Sequence, residues 1–132
     1  MTFVDTSALY ALADRRDDNH ARAKKILQEL LRRNEEFFTH NYIIVETVAL
    51  IQRRLGFSVA EAFLRDTALF SLFWIDERIH HDTATLFASL KKRTVSFVDC
   101  TSFFVMKQRG VRHAFAFDGD FLTQGFILVN EE

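Results

Sequence analysis

Proline is absent from this 132-residue chain and glycine occurs only four times. No proline- or glycine-rich linker, low-complexity tract or internal repeat is therefore present, and the chain reads as continuous structure. The single cysteine, Cys100, excludes an intrachain disulfide framework; a lone thiol fits a reducing compartment, so the expected location is cytoplasmic. No run of about 18 apolar residues occurs. The start, Met1-Thr2-Phe3-Val4-Asp5, has no basic segment leading into an apolar one, so neither a signal peptide nor a membrane span is expected. The formal net charge of −1 excludes a uniformly basic nucleic-acid coat and an acidic solvating tail. Any polyanionic partner must be held locally.

What the chain does have is a core. Hydrophobic residues make up 48% and charged residues 27%, an ordinary globular balance at the usual size of one domain, so residues 1–132 are expected to form a single domain. The 15 phenylalanines supply an aromatic core. Phe63, Phe70, Phe73, Phe87 and Phe104 are in surplus, pointing either to dense packing or to a homodimer face, and a homodimer is expected.

Short apolar runs alternate with helical periods, the pattern of βα units on a mostly parallel sheet of five strands with helices on both faces. Strands are expected at 2–4, 37–39, 72–75, 114–117 and 126–129, and helices at 8–13, 21–33, 41–55 and 76–92. Ser58 and Glu61 have the spacing of a capping box for the helix after residue 56. Asp99 is expected to open another helix, closed at Gly110. Gly56 stands where a left-handed C-terminal cap is wanted.

In such sheets ligands bind beyond the carboxyl ends of the strands. Asp5 follows Phe3-Val4, Asp118 follows Phe115-Ala116-Phe117, and Asp99 follows the largely apolar run 95–98. Glu46 interrupts the apolar stretch Ile43-Ile44-Val45-Glu46-Thr47-Val48, where a carboxylate needs a partner. Carboxylates gathered within a few ångströms raise one another's pKa unless a cation intervenes. An all-oxygen donor set with open positions selects Mg²⁺ or Mn²⁺ over zinc or copper.

Each residue also has a plainer reading: Asp5 and Asp99 are good helix caps, Asp118-Gly119 is an ordinary turn dipeptide, and Arg53 lies two turns from Glu46 on the same face. The coincidence of all four favours a site. His80-His81-Asp82 lacks the further spaced ligands of a zinc centre, and no glycine-rich phosphate loop is present. Ser7 stands where a haloacid-dehalogenase-like phosphatase needs its second aspartate. Asp76 could mimic a receiver-domain phosphoacceptor, but no strand-end lysine follows.

The segments Phe3-Val4-Asp5-Thr6-Ser7-Ala8-Leu9, 41–56 around Glu46, Ser96-Phe97-Val98-Asp99-Cys100-Thr101-Ser102-Phe103, and Phe117-Asp118-Gly119-Asp120-Phe121 together resemble PIN-domain ribonucleases, most nearly the VapC-type toxins of toxin-antitoxin pairs. The resemblance runs from the first strand to about residue 128 and rests on the order and spacing of four short motifs. It implies a three-layer α/β/α sandwich with strand order 3-2-1-4-5 and a Mg²⁺- or Mn²⁺-dependent endoribonuclease using one or two ions. By motif, Asp5, Glu46, Asp99 and Asp118 are the implied catalytic and metal-binding quartet, with Asp120 contributing through water. Thr6, Ser7 and Thr101 match small hydroxyl positions that support the site or orient substrate. His40 departs from the Thr or Ser usual before Asn41, and is read either as a substrate contact or as a helix cap.

The implied chemistry is in-line attack by water on RNA, leaving a 5′-phosphate, so no side-chain nucleophile is needed and Cys100 reads as a buried apolar group. Arg15, Arg16 and Lys107 are the basic residues singled out for contacts to RNA phosphates. The implied partners are RNA and a separate antitoxin protein, docked in an apolar groove with an arginine against the acids. The rival readings are a catalytically silent PIN-like interaction module and a related metal-dependent DNA nuclease.

Overall fold

The computed structural model describes residues 1–130; the last two residues of the expected domain lie outside the described residues. The strands are β1 (Thr2–Val4), β2 (Phe37–His40), β3 (Leu72–Phe73), β4 (His113–Phe115) and β5 (Ile127–Leu128). Between them run α1 (Thr6–Ala13), α2 (His20–Arg32), α3 (Asn41–Leu55), α4 (Phe57–Asp66), α5 (Glu77–Leu90), α6 (Phe97–Arg109) and α7 (Asp120–Thr123), with one 3-10 turn at Thr67–Leu69. All pairings are parallel and the strand order is β3-β2-β1-β4-β5. The order implied by the resemblance is the order observed.

Side chains of a strand alternate between faces. Val4, Phe37, Thr39 and Phe115 line one face together with Leu9, Leu12 and Leu27 of α1 and α2. Phe3, Phe38 and His40 occupy the other, where Phe3 meets Phe38 edge-on and reaches Phe121, which packs on Phe103 of α6. The phenylalanine surplus is thus divided. Phe3, Phe38, Phe103, Phe115, Phe121 and Phe126 are buried, whereas Phe57, Phe70 and Phe87 stay exposed.

Several expected boundaries move for identifiable reasons. β3 stops at Phe73 because the Ile75 N–H, two residues on, is taken by Asn41 Oδ1 at 2.6 Å. β4 stops at Phe115 because the Phe117 N–H donates to Ser7 Oγ at 2.9 Å. The capping box expected at Ser58 and Glu61 is not formed: α4 already begins at Phe57, capped by Gly56 with no side-chain bond. Gly56 has the positive φ expected, +97°, but ψ of 171° takes it out of the left-handed helical basin into a region essentially restricted to glycine. That geometry turns the chain from α3 into α4 without an intervening loop.

A capping box does form at α6, where Ser96 Oγ accepts from the Asp99 N–H and Asp99 Oδ2 accepts from the Ser96 N–H, both at 3.0 Å. Asp99 therefore sits in the first turn of α6 and follows no strand. Asp76 is the N-cap of α5, accepting from the Ile79 N–H, which absorbs its receiver-like position. Among the described residues no helix is long and apolar enough to cross a membrane.

His40 closes β2 and opens α3. Its Nδ1 accepts from the Ile43 N–H at 3.2 Å, so Nε2 carries the proton and donates to Ser102 Oγ at 2.9 Å. The ring is fully buried, and burial pushes its pKa down to about 3, so it is neutral at physiological pH. Of the two readings of His40, the cap is the one realised. His40→Ala removes the cap, a buried ring and the partner of Ser102 together, and is expected to cost about 2–4 kcal/mol. Urea denaturation measures it; a loss below about 0.5 kcal/mol would show that the ring fills no structural role.

Candidate active site

Four elements deliver carboxylates to one rim, the carboxyl end of the parallel strands. Asp5 leaves β1 and caps α1, Glu46 projects from the second turn of α3, Asp99 lies in the first turn of α6, and Asp118 follows β4. Because β1 and β4 are adjacent, Asp5 and Asp118 emerge side by side. Asp99, Asp118 and Asp120 each offer a carboxylate oxygen, all within 4.8 Å of one another. Asp5 feels the charges of Glu46 and Asp118, and Asp99 those of Asp5 and Asp118. The five acids thus form one electrostatic unit.

Burial, more than mutual repulsion, pushes Asp5 up to about 6, against the lowering effect of two bonds from Ser7. Asp99 is likewise raised to about 6 by desolvation first and by its acidic neighbours after the lowering effect of the Ser96 N–H. Desolvation also raises Glu46 and Asp120. Only a cation at the rim lets all of these ionise at neutral pH without that penalty.

Two hydroxyls hold the acids. Ser7 Oγ donates to Asp5 Oδ2 at 2.6 Å, its N–H donates to the same oxygen at 3.1 Å, and Ser7 Oγ in turn accepts from Phe117. Thr6 hydrogen-bonds Glu46 and lies 3.2 Å from the Thr47 hydroxyl. Glu46 is therefore held from α1, and the Arg53 suggested as its partner is exposed in the last turn of α3. Asp118 Oδ1 accepts from the Asp120 N–H at 2.9 Å, which fixes the turn into α7.

Thr101 is fully buried and its hydroxyl donates to the Phe97 carbonyl one turn back, so of the two roles implied for it direct contact with substrate is excluded. Cys100 is buried, with its thiol pKa raised by desolvation and by Asp99, as an inert apolar group would be. Lys107 departs from expectation. It lies in the last turn of α6, eight residues or about 12 Å beyond Asp99 along a helix that runs back toward the start of β4, so it belongs to the opposite rim. Arg15 and Arg16 are exposed in the turn between α1 and α2.

The model for the PIN domain matches residues 2–126. The chain belongs to the PIN-domain family. Within it, the 23S rRNA-specific endonuclease VapC20 of Mycobacterium tuberculosis, from strains H37Rv and CDC 1551 alike, is 34% identical over 134 aligned positions spanning 100% of both proteins. The crystal structure of M. tuberculosis VapC20, described as a sarcin-ricin loop cleaving toxin, superposes with a TM-score of 0.86 at 33% identity, covering 98% of this chain and 99% of that one. This PIN domain is accordingly of the VapC type, with the acidic rim expected of a divalent-metal nuclease.

Two features of the rim escaped the sequence reading. Lys92, just beyond α5, is the base that acts on Asp120; within the run Lys91-Lys92-Arg93 nothing local distinguishes it from a solvated helix-end charge. Ser96, three residues before Asp99, carried a legible signal in its S-x-x-D spacing.

The raised acids make stability depend on pH in a definite direction. Between the ordinary aspartate value of 3.8 and about 6 the folded protein holds protons on Asp5 and Asp99 that the unfolded chain has released. In EDTA, stability from these groups therefore falls as pH rises through that window and stays low above it. Asp5→Asn is expected to raise the melting temperature in EDTA at pH 7.5 by on the order of 5 °C, with little gain at pH 4. Scanning calorimetry at the two pH values tests this, and an equal gain at both would show that ionisation of Asp5 is not the cause.

Proposed function

We propose that this protein is a metal-dependent endoribonuclease and the toxin of a toxin-antitoxin pair, acting as one domain over residues 1–132 in the cytoplasm. The observation that carries the reading is the meeting of Asp5, Glu46, Asp99, Asp118 and Asp120 at one rim of a chain matched end to end by an rRNA endonuclease. Unpaired cysteine, buried as Cys100, supports the compartment.

The donor set fits a hard divalent cation: carboxylate oxygens only, partly desolvated, from four separate elements. Asp5, Glu46, Asp99 and Asp118 would hold Mg²⁺ or Mn²⁺, one or two ions, with Asp120 contributing through water. When bound, the ion lowers the pKa of a water and offsets charge on the scissile phosphate. The chain's own part is positional. Ser7 fixes the rotamer of Asp5, Thr6 fixes Glu46, and the Ser96 N–H fixes Asp99, so that the acids stay directed into the rim when the ion is exchanged. Attack in line with the leaving 3′-oxygen leaves a 5′-phosphate and needs no side-chain nucleophile. Arg15 and Arg16 remain the flanking phosphate contacts, and Lys92 replaces Lys107 among them.

The substrate to test first is the one named for the relative, the sarcin-ricin loop of 23S rRNA. An apolar cleft of about 600 Å³ between α1, α2 and the open strand face, lined by Leu9, Leu12, Leu27, Phe37, Phe70 and Phe115, suits the apolar segment of an antitoxin. The exposed Val45, Phe57 and Trp74 suit contacts between two copies in a homodimer. A silent interaction module is disfavoured, since it would bear the desolvation of Asp5 and Asp99 with no cation to offset it.

Purified protein is expected to cut a sarcin-ricin stem-loop RNA with Mg²⁺ or Mn²⁺ and to be silent in EDTA. Asp5→Asn, Asp99→Asn and Asp118→Asn should each lower kcat/KM by about 10²-fold or more, and Lys107→Ala by less than about twofold. Equal cleavage of single-stranded or duplex DNA would redirect the reading to a DNA nuclease. Absence of both cleavage and Mn²⁺ binding by calorimetry would leave the interaction module.

A further inference from the structure

Beside the acids lies a feature that metal chemistry does not require. Arg22, in the first turn of α2, places its guanidinium carbon 5.2 Å from the centre of the Phe117 ring, and its Nη1 donates to Asn19 Oδ1 at 3.4 Å. Asn19, Arg22 and Phe117 line a cavity of about 220 Å³ closed by Ala116, Gly119 and residues 128–130. Its wall includes the residues on either side of Asp118, whose carboxylate lies within 4.8 Å of those of Asp99 and Asp120. Phe117 is further tied to Asp5 through Ser7 Oγ. The cavity is therefore fixed in place relative to the acids by hydrogen bonds and by the chain itself.

A guanidinium laid over an aromatic ring gives up one face and keeps its N–H edge for phosphate oxygens, which it binds in a bidentate way. Its other face is a platform on which an unpaired base stacks. The volume is below that of a pocket for a drug-sized ligand, which suits one planar base and not a base pair.

We propose that the cavity formed by Arg22 and Phe117 is a nucleotide subsite that holds the unpaired nucleotide next to the scissile phosphate. Arg22 takes the phosphate with its N–H edge and stacks the base on its free face. The inference rests on the ribonuclease reading and deepens it: the cut falls in a loop or other unpaired segment, because a paired base does not enter.

The test is fluorescence-anisotropy binding of a labelled sarcin-ricin stem-loop RNA and of a fully paired RNA duplex, in Mg²⁺, to Asp5→Asn protein so that the RNA stays intact. Arg22→Ala added to that background is expected to weaken stem-loop binding about tenfold and to lower the slope of log affinity against log salt by about 0.7. Arg22→Lys should keep the salt slope while recovering only part of the affinity, since it restores charge without the planar stack. Lys107→Ala, on the opposite rim, should bind within about twofold of the parent. The subsite is overturned if Arg22→Ala binds as the parent does, if Lys107→Ala weakens binding equally, or if the duplex binds as tightly as the stem-loop. Cleavage by the otherwise wild-type protein separates the two readings. Arg22-dependent binding without any cleavage removes the ribonuclease reading, and with it the placement beside a scissile phosphate, leaving only a nucleotide-binding site, whereas cleavage with unchanged kcat/KM in Arg22→Ala removes the subsite alone.

Discussion

Desolvation of carboxylates gathered at one rim is the constraint on which the rest of this structure turns. Asp5 and Asp99 are each held at about 6 by burial and by their neighbours, so the rim opposes its own assembly at neutral pH. The fold overcomes this by anchoring each acid with backbone that is already committed: the start of α1 for Asp5, the capping box of α6 for Asp99, the turn into α7 for Asp118. The strain of gathering like charges is borne by elements whose stability comes from elsewhere.

That stability comes largely from the aromatic layer between the sheet and α6. Phe3 contacts Phe38, His40 and Phe121, and Phe103 contacts Phe121 and Phe126, each ring in offset or edge-on geometry. The layer ends at His40, whose two nitrogens join α3 to α6. Those two helices carry Glu46 and Asp99, so one buried neutral imidazole ties together the elements that deliver two of the acids. A cap chosen for packing thereby becomes part of what positions a metal-nuclease site.

Side chains near the rim also shorten the sheet by taking strand amides. Ser7 takes the Phe117 N–H and Asn41 takes the Ile75 N–H, which frays the carboxyl ends of β4 and β3 into the loops that carry function. A strand read from apolar pattern alone runs on to 117 and 75, because the pattern records burial and not which partner receives the amide. Lys107 was misplaced for a related reason: proximity in sequence to Asp99 says nothing about which end of a helix faces the rim, and 13 residues of α6 separate the two rims.

The amino-acid sequence by itself determined the alternation of strands and helices, the positive φ of Gly56, the end of α6 at Gly110, and the acids at Asp5, Glu46, Asp99 and Asp118. These follow from periodicity, from local backbone preference and from motif spacing, all of which act over a few residues. Tertiary structure decided that Asp99, from a separate helix, joins Asp118 and Asp120 within 4.8 Å, that of its two readings His40 is the buried cap, that Thr101 is buried with its hydroxyl on the Phe97 carbonyl, and that Arg22 meets Phe117 from ninety-five positions away in the chain. Such relations depend on how parallel strands and their crossover helices close over one another, and a contact between distant segments leaves no periodic trace in either of them.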